Sequence, residues 1–166
     1  MKTKYRKAAR GKRASRNIDH TDALGWIMRR TQPLTQDEIL REMMPIHDAM
    51  SAVDAGRPTD DDKARLLALG CAVRARGLAI DPDNGATLGE RVADACVNAY
   101  RREHHGARFG FSGEERSHVI NAIELWEQML EHSQPHEISL AGKEGAEYAA
   151  VVCVSMREWM QKRKAA

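Results

Sequence analysis

A helix-start pattern that recurs along the chain constrains its fold more than any other feature. Thr35-Gln-Asp-Glu38, Thr59-Asp-Asp-Asp62, Thr87-Leu-Gly-Glu90 and Ser112-Gly-Glu-Glu115 each place a hydroxyl three residues before a carboxylate. In that arrangement the hydroxyl accepts from the third helical amide and the carboxylate accepts from the cap amide, so two orphan donors are satisfied together. Successive boxes begin 24, 28 and 25 residues apart, a spacing of one helix and one loop per unit. Equivalent positions carry different side chains, so the units are not a sequence repeat.

Apolar stripes follow the boxes. Over 36–53, Ile39, Met43, Ile46, Met50 and Val53 advance by alternating steps of four and three. The stripe crosses Pro45 in phase, which predicts one kinked helix rather than two; His47 lies beside it and is expected to be partly buried. The second helix, 60–76, carries Leu66, Leu69 and Val73, with Leu67 and Cys71 adjacent. Gly70 on that face invites a close neighbour, and Gly77 with Leu78 reads as a Schellman close. The third helix starts at the Thr87 box and ends before Gly106, presenting Leu88, Val92, Ala95 or Cys96, and Ala99. Val119, Ile123, Trp126 and Leu130 give the fourth, 113–132, the most amphipathic face. After a break at Pro135, a last helix over 139–162 uses Leu140, Tyr148, Val151, Val152, Ser155 and Trp159. A short extra helix at 22–30 carries Leu24, Ile27 and Met28. The expected fold is all-α: a compact bundle of five main helices with a kinked first helix and short links between antiparallel neighbours.

Composition agrees once it is divided. Leu, Ile, Val and Phe number only 29, while Ala alone supplies 24, so the core must consist of thin helices in close approach. No run nears the 18 apolar residues of a membrane span. Charge is unevenly placed. Residues 1–16 hold eight basic side chains and no acid, leaving 18 basic against 24 acidic residues elsewhere, a balance of −6. The reading is a flexible basic arm over 1–17 and a single helical domain over 18–164. No apolar segment of a secretory signal follows the basic start, so the expected location is cytoplasmic. Cys71, Cys96 and Cys153 are odd in number and far apart, which reads as buried small side chains rather than a disulfide or zinc framework.

Chemistry is sparse in the sequence. It holds no Gly-x-Ser-x-Gly elbow, His-Glu-x-x-His or phosphate loop. His132 and His136 have the spacing of a metal pair, but Pro135 breaks the face between them. The expectation is a protein without catalytic residues, metal or cofactor. Two binding classes remain. Lys2, Lys4, Arg6, Lys7, Arg10, Lys12, Arg13 and Arg16 of the arm, with Arg101, Arg102, Arg108 and Arg116 around the 106–112 loop, form a candidate contact for nucleic acid or an acidic partner. Tyr5 is the arm's only aromatic residue, so base stacking is poorly served. The competing class is protein binding. Leu40 and Met44 lie off the principal stripe of the first helix and widen its apolar face toward a second neighbour or a homodimer. Trp26 and Trp159, near opposite ends, are the candidate anchors.

The opening Lys4-Tyr-Arg-Lys7, the segment Pro33-Leu-Thr-Gln-Asp-Glu-Ile-Leu40, the stretch Pro45-Ile-His-Asp-Ala-Met50 and the turn Gly56-Arg-Pro-Thr59 carry a resemblance. Over residues 1–132 the chain resembles small, uncharacterised helical proteins encoded by phages, prophages and plasmids of proteobacteria. The resemblance implies an accessory role, such as antagonism of a host defence system of the CRISPR kind, and supplies no catalytic residue to carry over. The last helix has no such resemblance.

Overall fold

Three of the four boxes close. The computed structural model describes residues 32–164, and its helices are α1 (Gln36–Asp54), α2 (Asp60–Ile80), α3 (Thr87–His104), α4 (Gly113–His132) and α5 (Pro135–Lys164). Thr35 accepts from the Glu38 amide at 3.3 Å while its own amide donates to the Glu38 carboxylate at 2.8 Å. Thr59 with Asp62 repeats this at 3.2 and 2.9 Å, and Ser112 with Glu115 at 3.3 and 2.8 Å. No strand occurs among the described residues. The predicted arm and the extra helix at 22–30 lie outside them.

The fourth box, at Thr87, does not form. Gly77 is the cause. A Schellman close requires a left-handed residue, and among the described glycines only Gly56 (φ 69°), after α1, and Gly106 (φ 86°), after α3, have that backbone. Gly77 instead stays helical and gives its missing side chain to packing: a Cβ there would collide with the backbone of Gly85 and Ala86. Helix α2 therefore runs on to Ile80, and a short π-helical turn, Pro82–Ala86, folds back against it. Asp81 caps that turn, its carboxylate accepting from the Asn84 amide at 3.2 Å. The cap position of α3 passes to Ala86, and Glu90 pairs with Arg74 at 2.9 Å instead of closing a box.

Helix α2 is the axle. Its buried residues spread over most of its circumference, leaving Arg65 and Ala68 exposed on one side, and every other helix packs on it. Close approach rather than bulk makes this fit. A Cβ on Gly70 would lie 2.9 Å from Val92 Cγ1, and one on Gly89 would lie 2.6 Å from both the Arg74 Cα and the Gly70 carbonyl oxygen. Ala93, Ala95 and Ala99 line the matching side of α3, all buried. Leu66, Val73, Val92, Val119 and Leu130 are wholly enclosed, each contributing about 1.5–3 kcal/mol by leaving water.

Helix α1 continues unbroken through Pro45, keeping Ile39, Met43, Met50 and Val53 inside. His47, expected to be partly buried, is exposed because it faces away from both α2 and the stripe. Two corrections concern the last helix. It begins at Pro135, not 139; proline suits the first helical turn, where its missing N–H costs nothing, and the Gln134 amide donates to Glu137 at 2.7 Å. Its inward face is also rotated from the predicted stripe. Ala141 and Gly145 are buried and Tyr148 and Val152 of the predicted stripe pack half-buried against the core, while Leu140, Val151 and Ser155 are exposed. The short α4–α5 link does not make those helices packed neighbours; α5 returns along α2. It runs antiparallel to α2, with Glu137 meeting Arg76 at 2.8 Å and Gly145 lying against the backbone of Cys71 and Ala72.

Candidate functional site

Three surfaces concentrate side chains that the core does not absorb. The first is the pole where the α1–α2 turn, the end of α3 and the start of α4 meet. Arg108 leans over the α1–α2 turn, its Nη1 3.5 Å from where a Cβ of Gly56 would stand. Arg57, Arg101 and Arg108 are exposed there. Arg102 and Arg116 of the predicted cluster are held by carboxylates. Arg102 donates to both Glu115 oxygens, at 3.1 and 2.6 Å, and to the Gly110 carbonyl at 2.7 Å, fastening the loop to α4. Arg116 makes a two-pronged pair with Asp54, at 3.0 and 2.7 Å, fastening α4 to α1.

Electrostatics at this pole stabilise the charged forms. Burial works against ionised Glu115, yet the Arg102 guanidinium and the Ser112 amide outweigh it and hold the carboxyl below its ordinary 4.5. The Arg116 hydrogen bonds likewise hold Asp54 low. Lys63 was given no role by the sequence reading. It is 7% exposed, donating to Asp60 at 3.0 Å and to the two Glu103 oxygens at 2.8 and 3.0 Å. The rings of Tyr100 and Phe109 lie 5.8 and 5.4 Å from its ammonium. Burial opposes the charge, but the Glu103 and Asp60 hydrogen bonds prevail and raise its pKa. An amine nucleophile needs the opposite shift, so this lysine is suited to holding α3 against α2. Its place three residues before Leu66 and four before Leu67, on the inner face of α2, was the signal in the sequence.

The second surface is the outer side of α1. Leu40 and Met44 stand 57% and 53% exposed, one turn apart, beside the buried Ile39 and Met43. Trp159 lies in α5, and Trp26 lies outside the described residues.

The third is a groove. Helices α1 and α5 both pack on α2 and have no extensive packing against each other. Two cavities of about 400 Å³ each open between them, and Arg41, Glu42 and Ile138 line both, so they form one continuous trough. Leu34 and Pro135 stand at one end, Arg65 and Ala149 toward the other. Its lining includes Ala68, Gly142 and Ala146, which are exposed, and Ile46 and Ala72, which are half-buried. The spacing of Gly142, Gly145, Ala146 and Ala149, at steps of three, one and three, was the available sequence signal. A further cleft of about 370 Å³ lies at the far end of α2, walled by Ile80, Leu88, Leu125 and Met129 and edged by Asp81 and His132.

None of these surfaces places a nucleophile beside a base. Burial pushes the Cys71 thiol up to about 11 and raises Cys96 further, which disfavours the reactive thiolate. His132 and His136 are exposed on separate helices, and no group of three metal-ligating side chains assembles among the described residues. No helix among them is long and apolar enough to cross a membrane. Comparisons of the chain with protein-family models, with curated proteins and with solved structures find no match.

Proposed function

We propose that this chain is a non-enzymatic accessory protein of the phage or mobile-element kind, acting in the cytoplasm by binding a protein or nucleoprotein complex. A host defence complex such as CRISPR is the partner class drawn from the resemblance over residues 1–132. The observation that carries the reading is the exposed pair Leu40 and Met44. Both are strongly apolar, both lie on a rigid helix, and the helix already buries a complete stripe on its inner side, so neither is needed for the core. The test uses full-length protein and the Leu40→Glu, Met44→Glu double variant as paired baits in host lysate. A partner recovered with the first and lost with the second, at equal thermal stability, is the expected result. Equal recovery by both baits removes α1 from the interface and overturns the assignment.

A second reading is supported by the exposed arginines Arg57, Arg101 and Arg108 at one pole. In it the basic arm and this pole contact nucleic acid together. A shift assay at several salt concentrations, with full-length protein and a chain starting at Asn17, decides it. Binding that weakens steeply with salt and depends on the arm is expected. If neither chain binds duplex or single strand at low salt, the nucleic-acid reading fails.

A further inference from the structure

The cleft at the far end of α2 follows from the Gly77–Gly85 contact. That contact draws the Pro82–Ala86 turn onto α2 and leaves Ile80, the last residue of the helix, as one wall of a hollow between the start of α3 and the end of α4. Helices α2, α3 and α4 all pack on one another, so the walls stand in place before anything binds, as in most small-molecule sites.

Three features bear on what the cleft can hold. The first is its lining. A volume of about 370 Å³ suits a small molecule, and Ile80, Leu88, Leu125 and Met129 make the walls apolar. Ile80 is 54% exposed. Covering such a side chain is favourable in proportion to the apolar area that leaves water.

The second is a buried hydroxyl. Ser133 lines the cleft and is 1% exposed. Its Oγ accepts from Arg76 Nε at 3.2 Å, and no acceptor among the described residues takes its own proton. A buried donor without an acceptor is costly. The hydroxyl hydrogen turns freely about its bond, so it can meet an acceptor carried in by a ligand.

The third is charge. Arg76 lines the cleft, but Glu137 pairs with it at 2.8 Å and offsets its charge. Asp81 also lines it, and its carboxylate already accepts from the Asn84 backbone and side-chain amides at 3.2 and 3.1 Å. An entering anion would meet Asp81 with no unpaired guanidinium or ammonium among the described lining residues to offset it. An entering cation would meet carboxylate oxygens that are already engaged. The apolar walls disfavour either charge.

We propose that this cleft is a binding site for a small neutral molecule with an apolar body and a carbonyl-type hydrogen-bond acceptor. The body lies against Ile80, Leu88, Leu125 and Met129, and the acceptor takes the Ser133 proton. The site shares no residue with the Leu40–Met44 surface or the arginine pole, so it stands or falls independently of the partner readings above.

The probe for it is acetophenone, a ring with one carbonyl, titrated into full-length protein carrying 13C in its methionine methyl groups. The Met129 signal is expected to shift and saturate, while that of Met43, on α1 and outside the cleft, stays in place. Benzoate and benzylammonium, which carry a charge on the same ring, are expected to bind about tenfold more weakly or worse. Ile80→Asp is expected to weaken acetophenone binding about tenfold. Leu78→Asp, at a residue 49% exposed near the same helix end but outside the lining, is expected to leave it unchanged. Ser133→Ala is expected to weaken acetophenone about fivefold and to leave ethylbenzene, which has no acceptor, within about twofold. A Met129 signal that does not saturate, a charged analogue that binds as tightly as the ketone, equal effects of the two aspartates, or equal effects of Ser133→Ala on both probes overturns the proposal. If Ser133→Ala does not fold, the aspartate pair and the charged analogues decide it.

Discussion

The two sides of α2 use the same residue type to opposite effect. Toward α3, Gly70, Gly77 and Gly89 remove side chains so that backbones can touch, and every vacated volume is occupied by the neighbouring helix or the turn before it. Toward α5, Gly145 does the same against Cys71 and Ala72, but Gly142, one turn earlier, faces open space. Glycine in a helix costs roughly 1 kcal/mol against alanine, so each position needs a return. At the α2–α3 crossing that return is contact inside the fold. At Gly142 nothing lies within 4 Å, so the five helices give none.

Substitutions at these glycines can break or sharpen the contrast. Gly89→Ala has the largest expected effect, a loss of about 3 kcal/mol or more, because its new methyl group meets the α2 backbone and neither helix can give way. Urea denaturation measures it, and a loss under 1 kcal/mol would show that the crossing is looser than drawn. Gly145→Ala comes next. Its methyl would lie 3.0 Å from the Ala72 nitrogen and the Cys71 carbonyl carbon, so overpacking and helix propensity partly cancel, leaving a net cost of about 1 kcal/mol. Gly142→Ala should reverse the sign and stabilise the protein by about 0.5–1 kcal/mol through propensity alone. A loss of stability there would mean that the space is already filled.

Acid has the smallest expected effect, and it acts on the helix ends rather than on either side of α2. Glu38, Asp62 and Glu115 close the three boxes, and all three have pKa values below their ordinary 4.5, 3.8 and 4.5. A lowered native pKa contributes stability above the ordinary value and loses it as pH falls through the lowered one. Denaturation midpoints should therefore hold steady from pH 7 to about 5 and decline below about 4. Glu115→Gln should flatten part of that decline. A midpoint that rises on acidification would contradict the boxes.

What could be read from the sequence divides by range. The boxes at Thr35, Thr59 and Ser112 were legible because both partners lie within four residues and need nothing from the rest of the chain. The stripes of α1 and α4 were legible because large apolar residues mark their inner faces. The Thr87 box failed because the Gly77–Gly85 approach, a contact between helices, sets where α3 starts. The face of α5 was misplaced for a related reason. Ala141 and Gly145 carry its packing with Tyr148 and Val152 of the predicted stripe beside them, and it is Leu140 and Val151 that draw the traced period to the wrong side. Lys63 was passed over because a charged residue is assigned to solvent by type, whereas Asp60, Glu103 and two rings give it a place inside. Among the candidate contacts, Leu40, Met44 and Arg108 were picked out from sequence and are exposed. The trough was not, since it lies between two helices far apart in sequence that meet only through their packing on α2.

The enclosure of α2 also bears on how the chain is made. The helix on which all the others pack is completed at Ile80, yet the residue that covers its Cys71–Ala72 side, Gly145, is synthesised some 65 residues later. At about 5–20 residues per second, that side of the axle waits roughly 3–13 s for its cover. The ribosome thus releases the central helix of the molecule well before its shelter, so a chain that stops short of α5 presents that side to chaperones and proteases.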